Sequence, residues 1–381
     1  MKILLVGDFS GLHLNLKRGL ESNGHEALLI SEGDGYKGYD RDISLYTKNV
    51  LPRTNVVFKS INNIYKIYRS FIKLDQIMKE NNFDVVQFIN PIYFGLFASF
   101  QYFQRKSFKV ITRSPHTIVS LMSCGSDFLT VNHSIFAAKI INESEVDNTK
   151  SPEYFKKIAN FKFFYEMLER VDIVIPTMYE YHLPYQEFLL SNKYSLYLAD
   201  PVFAPLDIGS FNYRCNTVDK KIKFWHGLNR EGAKGTNFIR PAFERLNCKY
   251  SKYAEFIIPE RVPYNEFIEF VNGYGNISLE QVFLSSPGYS GICAMATGQI
   301  LCGADPTVIK NTFKLNYDLP TFKLQPNIDQ IQETCEFFLD KSDLLEDWGS
   351  ISRQFAEEFD YSKSALQFVE LWQQVSKGKS I

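Results

Sequence analysis

The sequence predicts an α/β protein made of two halves, each a parallel sheet with helices on its faces. Three observations support this prediction. Apolar, β-branched runs alternate with longer amphipathic stretches along most of the chain. The 381 residues are enough for two or three domains that each bury a core. Hydrophobic residues make up 45% and charged residues 22% of the chain, which excludes disorder, collagen and coiled coil.

A strand–turn–helix–strand unit opens the chain. The run Lys2–Gly7 predicts a strand, the turn that follows ends at Gly11, a helix ends at Gly24, and His25–Ile30 predicts the next strand. Such a unit implies a parallel sheet with a ligand crevice at the carboxyl ends of its strands. The G-x-G-x-x-G fingerprint is absent from the turn, which argues against an NAD-linked oxidoreductase.

The alternation of strands and helices continues to about residue 200. Further strands are predicted at 56–58, 84–89, 109–112 and 172–176, and a helix over 61–81. The uncharged segment 85–104 is interpreted as a buried strand and a helix instead of a membrane span, because Gln, Asn and Pro interrupt it.

A loop-rich stretch around 200–216 predicts a boundary between the two halves. The second half begins with a strand at Ile222–Trp225. Its other strands are predicted at 256–258, 282–284 and 299–301, and its last helices at about 327–340 and 343–377.

Charge and cysteine usage narrow the function and the compartment. Lys and Arg number 42 against 43 Asp and Glu, so no overall field attracts nucleic acid and no nucleic-acid partner is expected. The six cysteines form no C-x-x-C pair, and the first apolar run is too short for a secretory leader. We therefore expect reduced thiols and a cytoplasmic protein.

The loop after the strand Ile222–Trp225 has the features of an anion site. It runs from His226 to Thr236 and precedes a predicted helix, whose N-terminal amides and dipole favour phosphate. Arg230 and Lys234 add two cations at a spacing that could reach one diphosphate. The alternative is an ordinary charged loop with Thr236 as the helix N-cap.

A second segment combines Glu280-Gln281 with a stretch of small residues from Gly288 to Leu301. It predicts a short helix between two glycine-bearing turns. Such a helix could direct its N-terminal amides at a ligand, or it could simply be a core helix.

Four short motifs in this order resemble those of GT-B glycosyltransferases of the bacterial family 4 type. They are Cys124-Gly125-Ser126-Asp127, Ile175-Pro176-Thr177, Lys234-Gly235-Thr236 and Ala294-Met295-Ala296-x-Gly298. The resemblance implies two Rossmann-like domains facing across a cleft and glycosyl transfer from a nucleotide sugar. It further implies an acceptor domain over 1–205, a donor domain over 206–360, and a helix in 361–381 that packs back on the first domain.

The resemblance also implies roles for particular residues. The expected donor-binding residues are His226, Gly227, Arg230, Lys234, Gly235, Thr236, Gln281, Gly288, Tyr289, Ser290, Gly291, Ile292 and Cys293. The expected acceptor-binding residues are Gly7, Asp8, Ser10, Gly11, His13, Ser126 and Asp127. Arg230 and Lys234 are expected to hold the donor diphosphate and to serve catalysis, together with Asp127 and His116 as polar groups on the acceptor side. The alternative for Asp127 is an N-cap of the segment that follows it, and the alternative for His13 is an ordinary surface histidine.

Two positions depart from the family pattern. Cys293 stands where many relatives carry a Glu that contacts the donor, and Cys124 stands where many carry a His. A neutral thiol replaces neither group. Two alternatives to a transferase therefore stay open: a non-catalytic GT-B-like subunit that binds nucleotide or glycan, and a sugar-nucleotide epimerase or hydrolase of similar fold.

The remaining expectations concern metals and partners. The D-x-D pattern Asp40-Arg41-Asp42 lies in the first half and is interpreted as solvated carboxylates, so no metal or other cofactor is expected. The expected partners are a nucleotide sugar and a bacterial surface glycan or its lipid-linked precursor. The basic, aromatic segments 61–81 and 100–106 indicate either a dock on the inner face of the plasma membrane or an ordinary amphipathic helix packed on the sheet.

Overall fold

The computed structural model describes residues 1–32, 39–45, 52, 55–94, 101–139, 158–228, 232, 234–260 and 262–379. Within them, the strands form two sheets in which every pairing is parallel. The strands of the first sheet are β1 (Lys2–Val6), β2 (Glu26–Ser31), β3 (Ile43–Ser44), β4 (Val85–Phe88), β5 (Ile118–Ser123), β6 (Ile173–Pro176) and β7 (Tyr197–Leu198). Those of the second are β8 (Ile222–His226), β9 (Ala254–Ile257), β10 (Ile277–Leu279), β11 (Ile300–Cys302) and β12 (Thr321–Phe322).

Helices connect the strands and cover the faces of both sheets. The first half contains α1 (Leu12–Ser22), α2 (Val56–Glu80), α3 (Gln101–Ile111), α4 (Phe128–Asn132), α5 (Ile158–Leu168) and α6 (Tyr179–Ser191). The second half contains α7 (Thr236–Tyr250), α8 (Tyr264–Gly273), α9 (Tyr289–Ala296), α10 (Pro306–Thr312), α11 (Ile328–Asp340) and α12 (Leu345–Glu357). The last helix is α13 (Tyr361–Lys379). No helix of the described ranges is long and apolar enough to cross a bilayer.

Each sheet has one point where the strand order reverses. The first sheet runs β3-β2-β1-β4-β5-β6-β7 and the second β12-β11-β10-β8-β9. The reversal therefore falls between β1 and β4 in the first sheet and between β8 and β10 in the second. Connections leave such a switch point in opposite directions, which opens a crevice at the carboxyl ends of the two strands.

Three of the predicted strands are wrong. Residues 56–58 begin helix α2, because the side chain of Asn55 caps that helix by accepting from Phe58 N at 2.8 Å. Residues 109–112 close helix α3 and its C-terminal turn, and the strand that follows is β5. Residues 282–284 lie outside any strand, since β10 ends at Leu279. The helix predicted over 343–377 is two helices, α12 and α13.

The last helix packs on the first half of the molecule. It lies along α1 and reaches β5, where Trp372 Nε1 donates to Ser120 Oγ at 3.0 Å. The close approach depends on Gly19 of α1, because a Cβ there would lie 2.0 Å from the carbonyl oxygen of Tyr361. The chain crosses between the two halves twice, at Leu206 and again just before α13. The two crossing segments lie side by side, and Leu206 N donates to Phe359 O at 2.7 Å.

Candidate functional site

The switch point of the second sheet carries a cluster of ionic and polar side chains. Leu279 at the end of β10 pairs with His226 at the end of β8, so Gly227 and Glu280 follow at the same level. Lys234 reaches this level from the loop that precedes α7, and Ser290 reaches it from the first turn of α9. The four segments converge at the carboxyl ends of the strands, where a ligand is expected.

Lys234 lies at the centre of this cluster. Its ammonium forms a very short ion pair with Glu280 Oε1, donates to Ser290 Oγ at 2.9 Å, and donates to Gly227 O at 3.3 Å. Ser290 Oγ also donates to Glu280 Oε1. The Glu280 side chain is fully buried, whereas that of Lys234 is 16% exposed. Among the described residues, Glu280 Oε2 has no hydrogen-bond partner and can accept one from a ligand.

Two glycines make room for the cluster. A Cβ on Gly288, the N-cap of α9, would lie 2.3 Å from Glu280 Oε2. Gly235, the N-cap of α7, has a φ of 83°, and a Cβ there would lie 2.6 Å from Val282 Cβ. The positive φ and the close approach to Val282 both require a residue without a side chain at Gly235. The start of α7 therefore lies close to the segment that follows β10.

His226 supports the start of α7 from beneath. Its Nδ1 lies 2.9 Å from Leu279 O and its Nε2 lies 2.9 Å from Thr236 Oγ1. Burial and the nearby Lys234 ammonium lower the pKa of His226 to about 4, so the ring is neutral at pH 7. A neutral ring that donates from Nδ1 to the carbonyl accepts the Thr236 hydroxyl at Nε2. The imidazole is fully buried and holds Thr236 instead of reaching a ligand itself.

The other expected donor-binding residues have different surroundings. Arg230 lies outside the described residues. Ile292 and Cys293 are buried at 0% and 1% exposure inside α9, so their side chains do not reach a ligand, a correction to the expectation for both. Burial also raises the pKa of the Cys293 thiol, which is therefore neutral. Gln281 and Tyr289 are half-buried. The first turn of α9 also contains Gly291, which packs on Leu301 of β11.

At the switch point of the first sheet, the expected acceptor residues surround a buried histidine. His13 Nδ1 lies 2.7 Å from Gly7 O, and Asp8 Oδ1 accepts from His13 N at 2.9 Å. Burial lowers the pKa of His13 to about 3, which leaves the ring neutral with a hydrogen on Nδ1. Within the described part of the chain, His13 Nε2 has no partner. Ser10 and Gly11 form the turn before α1, both with positive φ.

Asp127 acts as a helix cap. Its Oδ1 accepts from Thr130 N at 2.8 Å, and Thr130 Oγ1 accepts from Asp127 N in return, which forms a capping box at the start of α4. Its Oδ2 accepts from the buried Tyr185 hydroxyl at 2.7 Å. Burial raises the pKa of Asp127. Ser126 beside it is exposed, whereas Cys124 is buried and donates from Sγ to Ile89 O.

His116 does not belong to this site. It is exposed in the turn between α3 and β5, at the amino-terminal edge of the first sheet. The side chains expected to act on an acceptor lie at the opposite, carboxyl edge. The strand predicted at 109–112 would have put His116 just after a strand, whereas these residues close α3 and His116 precedes β5, so His116 has no part in the proposed site.

The carboxyl edges of the two sheets contact each other directly. Glu180, in the first turn of α6, accepts from Ser285 N at 2.6 Å and Ser286 N at 2.7 Å through one oxygen. Asn15 of α1 donates to the hydroxyl of Tyr289 at 3.1 Å. These contacts place the cluster around Lys234 beside the first half of the molecule.

Sequence reasoning missed Glu280 and Glu180 as site residues. Glu280 belongs to one of the candidate segments, but the strand in this region was predicted at 282–284. That prediction obscured the fact that Glu280 directly follows β10. Ending that strand at Leu279 would have exposed the signal, because residues just beyond parallel strands line the crevice. Glu180 carried no signal, since its partners lie 105 and 106 residues away in the chain.

Solved structures resemble the whole chain. Sucrose-phosphate synthase from Thermosynechococcus elongatus matches with a TM-score of 0.60 and 12% identity, over 99% of this chain and 100% of that chain. Anabaena HepE in complex with UDP and glucose matches with a TM-score of 0.58 and 12% identity, over 98% and 99%. A glycosyltransferase from Rickettsia africae matches with a TM-score of 0.57 and 13% identity, over 98% and 97%.

These likenesses define the fold of the chain. Two parallel α/β sheets over the full length match the GT-B architecture, two Rossmann-like domains facing across a cleft, which confirms the fold predicted from the sequence. At such identities the likeness concerns the fold alone. No protein-family model matches the chain, and no curated protein matches it by sequence.

Proposed function

We propose that the chain is a glycosyltransferase that moves a sugar from a nucleotide-sugar donor to an acceptor hydroxyl. The observation that carries this proposal is the cluster of Lys234, Glu280 and Ser290 at the switch point of the second sheet. A cation at this point, next to the N-terminus of α7, suits a diphosphate. Anabaena HepE has been solved in complex with UDP-glucose, so a uridine nucleotide is the first donor to test.

Lys234 is the proposed contact to the donor diphosphate. An ammonium has three N–H donors, and Glu280, Ser290 and Gly227 O use all three here. The bond to Gly227 O is the longest at 3.3 Å, so a phosphate oxygen replaces it at the least cost. Glu280 fixes the ammonium in place before the donor arrives, which is the preorganisation that electrostatic catalysis requires.

In the proposed reaction, the bond between the anomeric carbon and the diphosphate oxygen breaks and the acceptor oxygen bonds to that carbon. The nucleoside diphosphate leaves with the bonding electrons and takes up the acceptor hydroxyl proton. Lys234 and the amides at the start of α7 stabilise the negative charge that develops on the diphosphate. Arg230 is the proposed second cation. Retention of configuration and independence from metal are part of the proposal.

The acceptor is proposed to bind at the switch point of the first sheet. His13 Nε2 offers an unused lone pair there, which can accept a hydrogen bond from a sugar hydroxyl. The proposed acceptor is a bacterial surface glycan or its lipid-linked precursor. Asp127 is proposed to stabilise this site as a cap, because protein donors engage both of its oxygens.

The first experiment is calorimetric titration of the full chain with UDP, GDP and their common sugar conjugates. Binding of one nucleotide, weakened by Lys234→Ala and by Arg230→Ala, supports the donor site and identifies the base. The matched control is Lys252→Ala, an exposed lysine in the turn after α7. No binding by any nucleotide would contradict the donor site.

Product analysis then separates the proposed transferase from its two rivals. A glycan extended by one sugar supports the transferase. Free sugar or an isomerised donor indicates a hydrolase or an epimerase. Nucleotide binding without turnover, with a range of glycan acceptors, indicates the non-catalytic subunit.

A further inference from the structure

Helix α2 has a second apolar face that no other element of the described residues covers. Its buried face contains Ile67, Leu74 and Ile77, which pack into the core of the first half. On the opposite side, large apolar side chains are exposed, among them Val57 at 63%, Tyr68 at 57% and Ile64 at 54%. Helix α2 therefore packs on the core of the first half through one face and exposes apolar side chains on the other.

Six of the seven exposed apolar side chains of α2 form one continuous stripe, and Val56 at the start of the helix lies outside it. The six are Val57, Ile61, Ile64, Tyr65, Tyr68 and Ile72. At 3.6 residues per turn, these positions fall within an arc of about 100°. The helix has 25 residues and is roughly 37 Å long at 1.5 Å per residue. The neighbouring helix α3, which packs against α2, carries Tyr102, which is 62% exposed.

Exposed cations accompany the stripe. Arg69 flanks the stripe on α2, and Lys106 and Lys109 lie on α3. None of these three is in an ion pair with another described residue. Lys106 Nζ lies 4.6 Å from the ring centre of Tyr102. The chain as a whole has a net charge of −1, so this basic face is a local feature.

Acidic residues are absent from most of the two helices. Residues 56–74 of α2 and 101–113 of α3 and its C-terminal turn contain no Asp or Glu. The first acidic residue along α2 is Asp75, which falls within the same arc three residues beyond Ile72 and is paired with Lys79 and Arg113.

Charge decides which occupant fits the face. A second copy of this chain, docked through the same face by a two-fold axis, would bring like charges together, which disfavours association. A surface of anionic lipid is complementary to the cations and accepts aliphatic and tyrosine side chains at its interface. The stripe lies along one continuous helix, so its side chains can enter an interface together.

We propose that the exposed face of α2 and α3 is a docking surface for the anionic headgroups and outer acyl region of a lipid bilayer. The aliphatic and tyrosine side chains of the stripe insert at the interface, and Arg69, Lys106 and Lys109 contact lipid phosphates. The proposal is independent of the proposed transferase function, because no residue of the face belongs to the cluster around Lys234.

The test is flotation of the full chain with vesicles of phosphatidylcholine, alone or with one third phosphatidylglycerol. We expect binding to the anionic vesicles that weakens in about 0.5 M salt, as exposed charges become screened. Two double variants remove the two attractions separately: Ile64→Ser with Tyr68→Ser, and Arg69→Glu with Lys106→Glu. Each should weaken binding at least about tenfold, the first because it removes apolar area from the interface and the second because it reverses two attractive charges.

The matched controls are Leu190→Ser, an 83% exposed leucine on α6, and Lys252→Glu. Both should bind vesicles within about twofold of the parent chain. Circular dichroism and nucleotide titration of each variant show that the fold and the donor site are intact.

Three results would overturn the proposal. The parent chain fails to float with anionic vesicles, it floats equally with neutral ones, or both double variants bind as the parent does. Sedimentation showing a dimer that Ile64→Ser with Tyr68→Ser dissociates would instead assign the face to a second copy of the chain.

Discussion

The two sheets have the same topology around their switch points but present different chemistry there. In the second sheet, Lys234 and Ser290 remain partly exposed and form a charged cluster with Glu280. In the first sheet, the protein itself engages the polar groups. His13 is neutral and bonded to Gly7, and Asp127 caps a helix and binds Tyr185.

This difference shows that topology creates a crevice but does not determine what the crevice binds. The side chains that directly follow the strands make that choice. A charged cluster is suited to a diphosphate, whose charge is the same for every nucleotide sugar. At the first sheet the histidine is neutral and the protein engages most polar groups, which suits an uncharged hydroxyl of the proposed acceptor. The proposed donor site is therefore better defined than the proposed acceptor site.

The largest expected effect concerns a property that both halves share, a buried neutral histidine. The pKa values of His13 and His226 lie at about 3 and about 4 in the folded chain, against 6.5 for the free side chain. At a pH between the folded and the unfolded pKa of each histidine, the unfolded state binds more protons than the folded state. The free energy of unfolding therefore rises with pH in this range and is lost as the pH falls below 6.5. Each histidine should lower the free energy of unfolding by roughly 3 kcal/mol at pH 4 relative to pH 7.

Urea unfolding at pH 7 and pH 4 checks this prediction. His13→Asn and His226→Asn should each lose less stability between the two pH values than the parent chain, by about the cost of one histidine. A loss equal to that of the parent in either variant would show that the ring in that half is not held neutral.

The second prediction tests the charged cluster. Lys234→Ala should weaken nucleotide diphosphate binding about 100-fold, because charge-assisted contacts to phosphate are among the strongest available. It also leaves buried Glu280 unpaired, which should lower the free energy of unfolding by about 3 kcal/mol.

A double variant separates the two effects of Lys234→Ala. Adding Glu280→Gln removes the unpaired charge and should restore much of the stability without restoring nucleotide binding. Calorimetry and urea unfolding measure the two quantities. Recovery of nucleotide binding in the double variant would mean that Lys234 serves only to neutralise Glu280.

The third prediction concerns packing in the first half. Gly19→Ala places a methyl group 2.0 Å from the carbonyl oxygen of Tyr361 and should destabilise the chain by about 1–3 kcal/mol. Gly273→Ala at the end of α8 is the control, since nothing lies within 4 Å of its added Cβ. Thermal unfolding compares the two, and equal midpoints would contradict the packing of α13 on α1.

The smallest expected effect concerns Asp127. Asn is as good an N-cap as Asp, so Asp127→Asn should cost less than about 1 kcal/mol. If the carboxyl group only caps α4, sugar transfer should fall by less than about fivefold. A fall of about 100-fold or more with the stability unchanged would restore the catalytic role and reduce the contrast between the halves.

The fold was predictable because its signals are local and repeated. The strands β1, β4, β6 and β8 are apolar runs bounded by turn residues, and the prediction located each of them. The errors at 56–58 and 109–112 arose where β-branched residues lie inside helices, since short apolar runs do not distinguish a helix from a strand. Asn55 as a cap was the signal that favoured a helix at 56–58.

The candidate site was only partly predictable. Lys234 was found because its loop follows a strand and precedes a helix. Glu280, Ser290 and Lys234 come together through sheet pairing between β8 and β10, which no short stretch of sequence specifies. The burial of Asp127 beside Tyr185 was equally hidden, because the two are 58 residues apart in the chain.

The position of α13 bears on how the chain folds during its synthesis. Trp372 is fully buried against the first sheet, 252 residues after its partner Ser120. At about 5–20 residues per second, the ribosome needs roughly 12–50 s to add the residues between them. Throughout that interval, the nascent first half has an apolar groove that awaits its last helix. A chaperone that covers exposed apolar surface would therefore find its target in the half that is synthesised first.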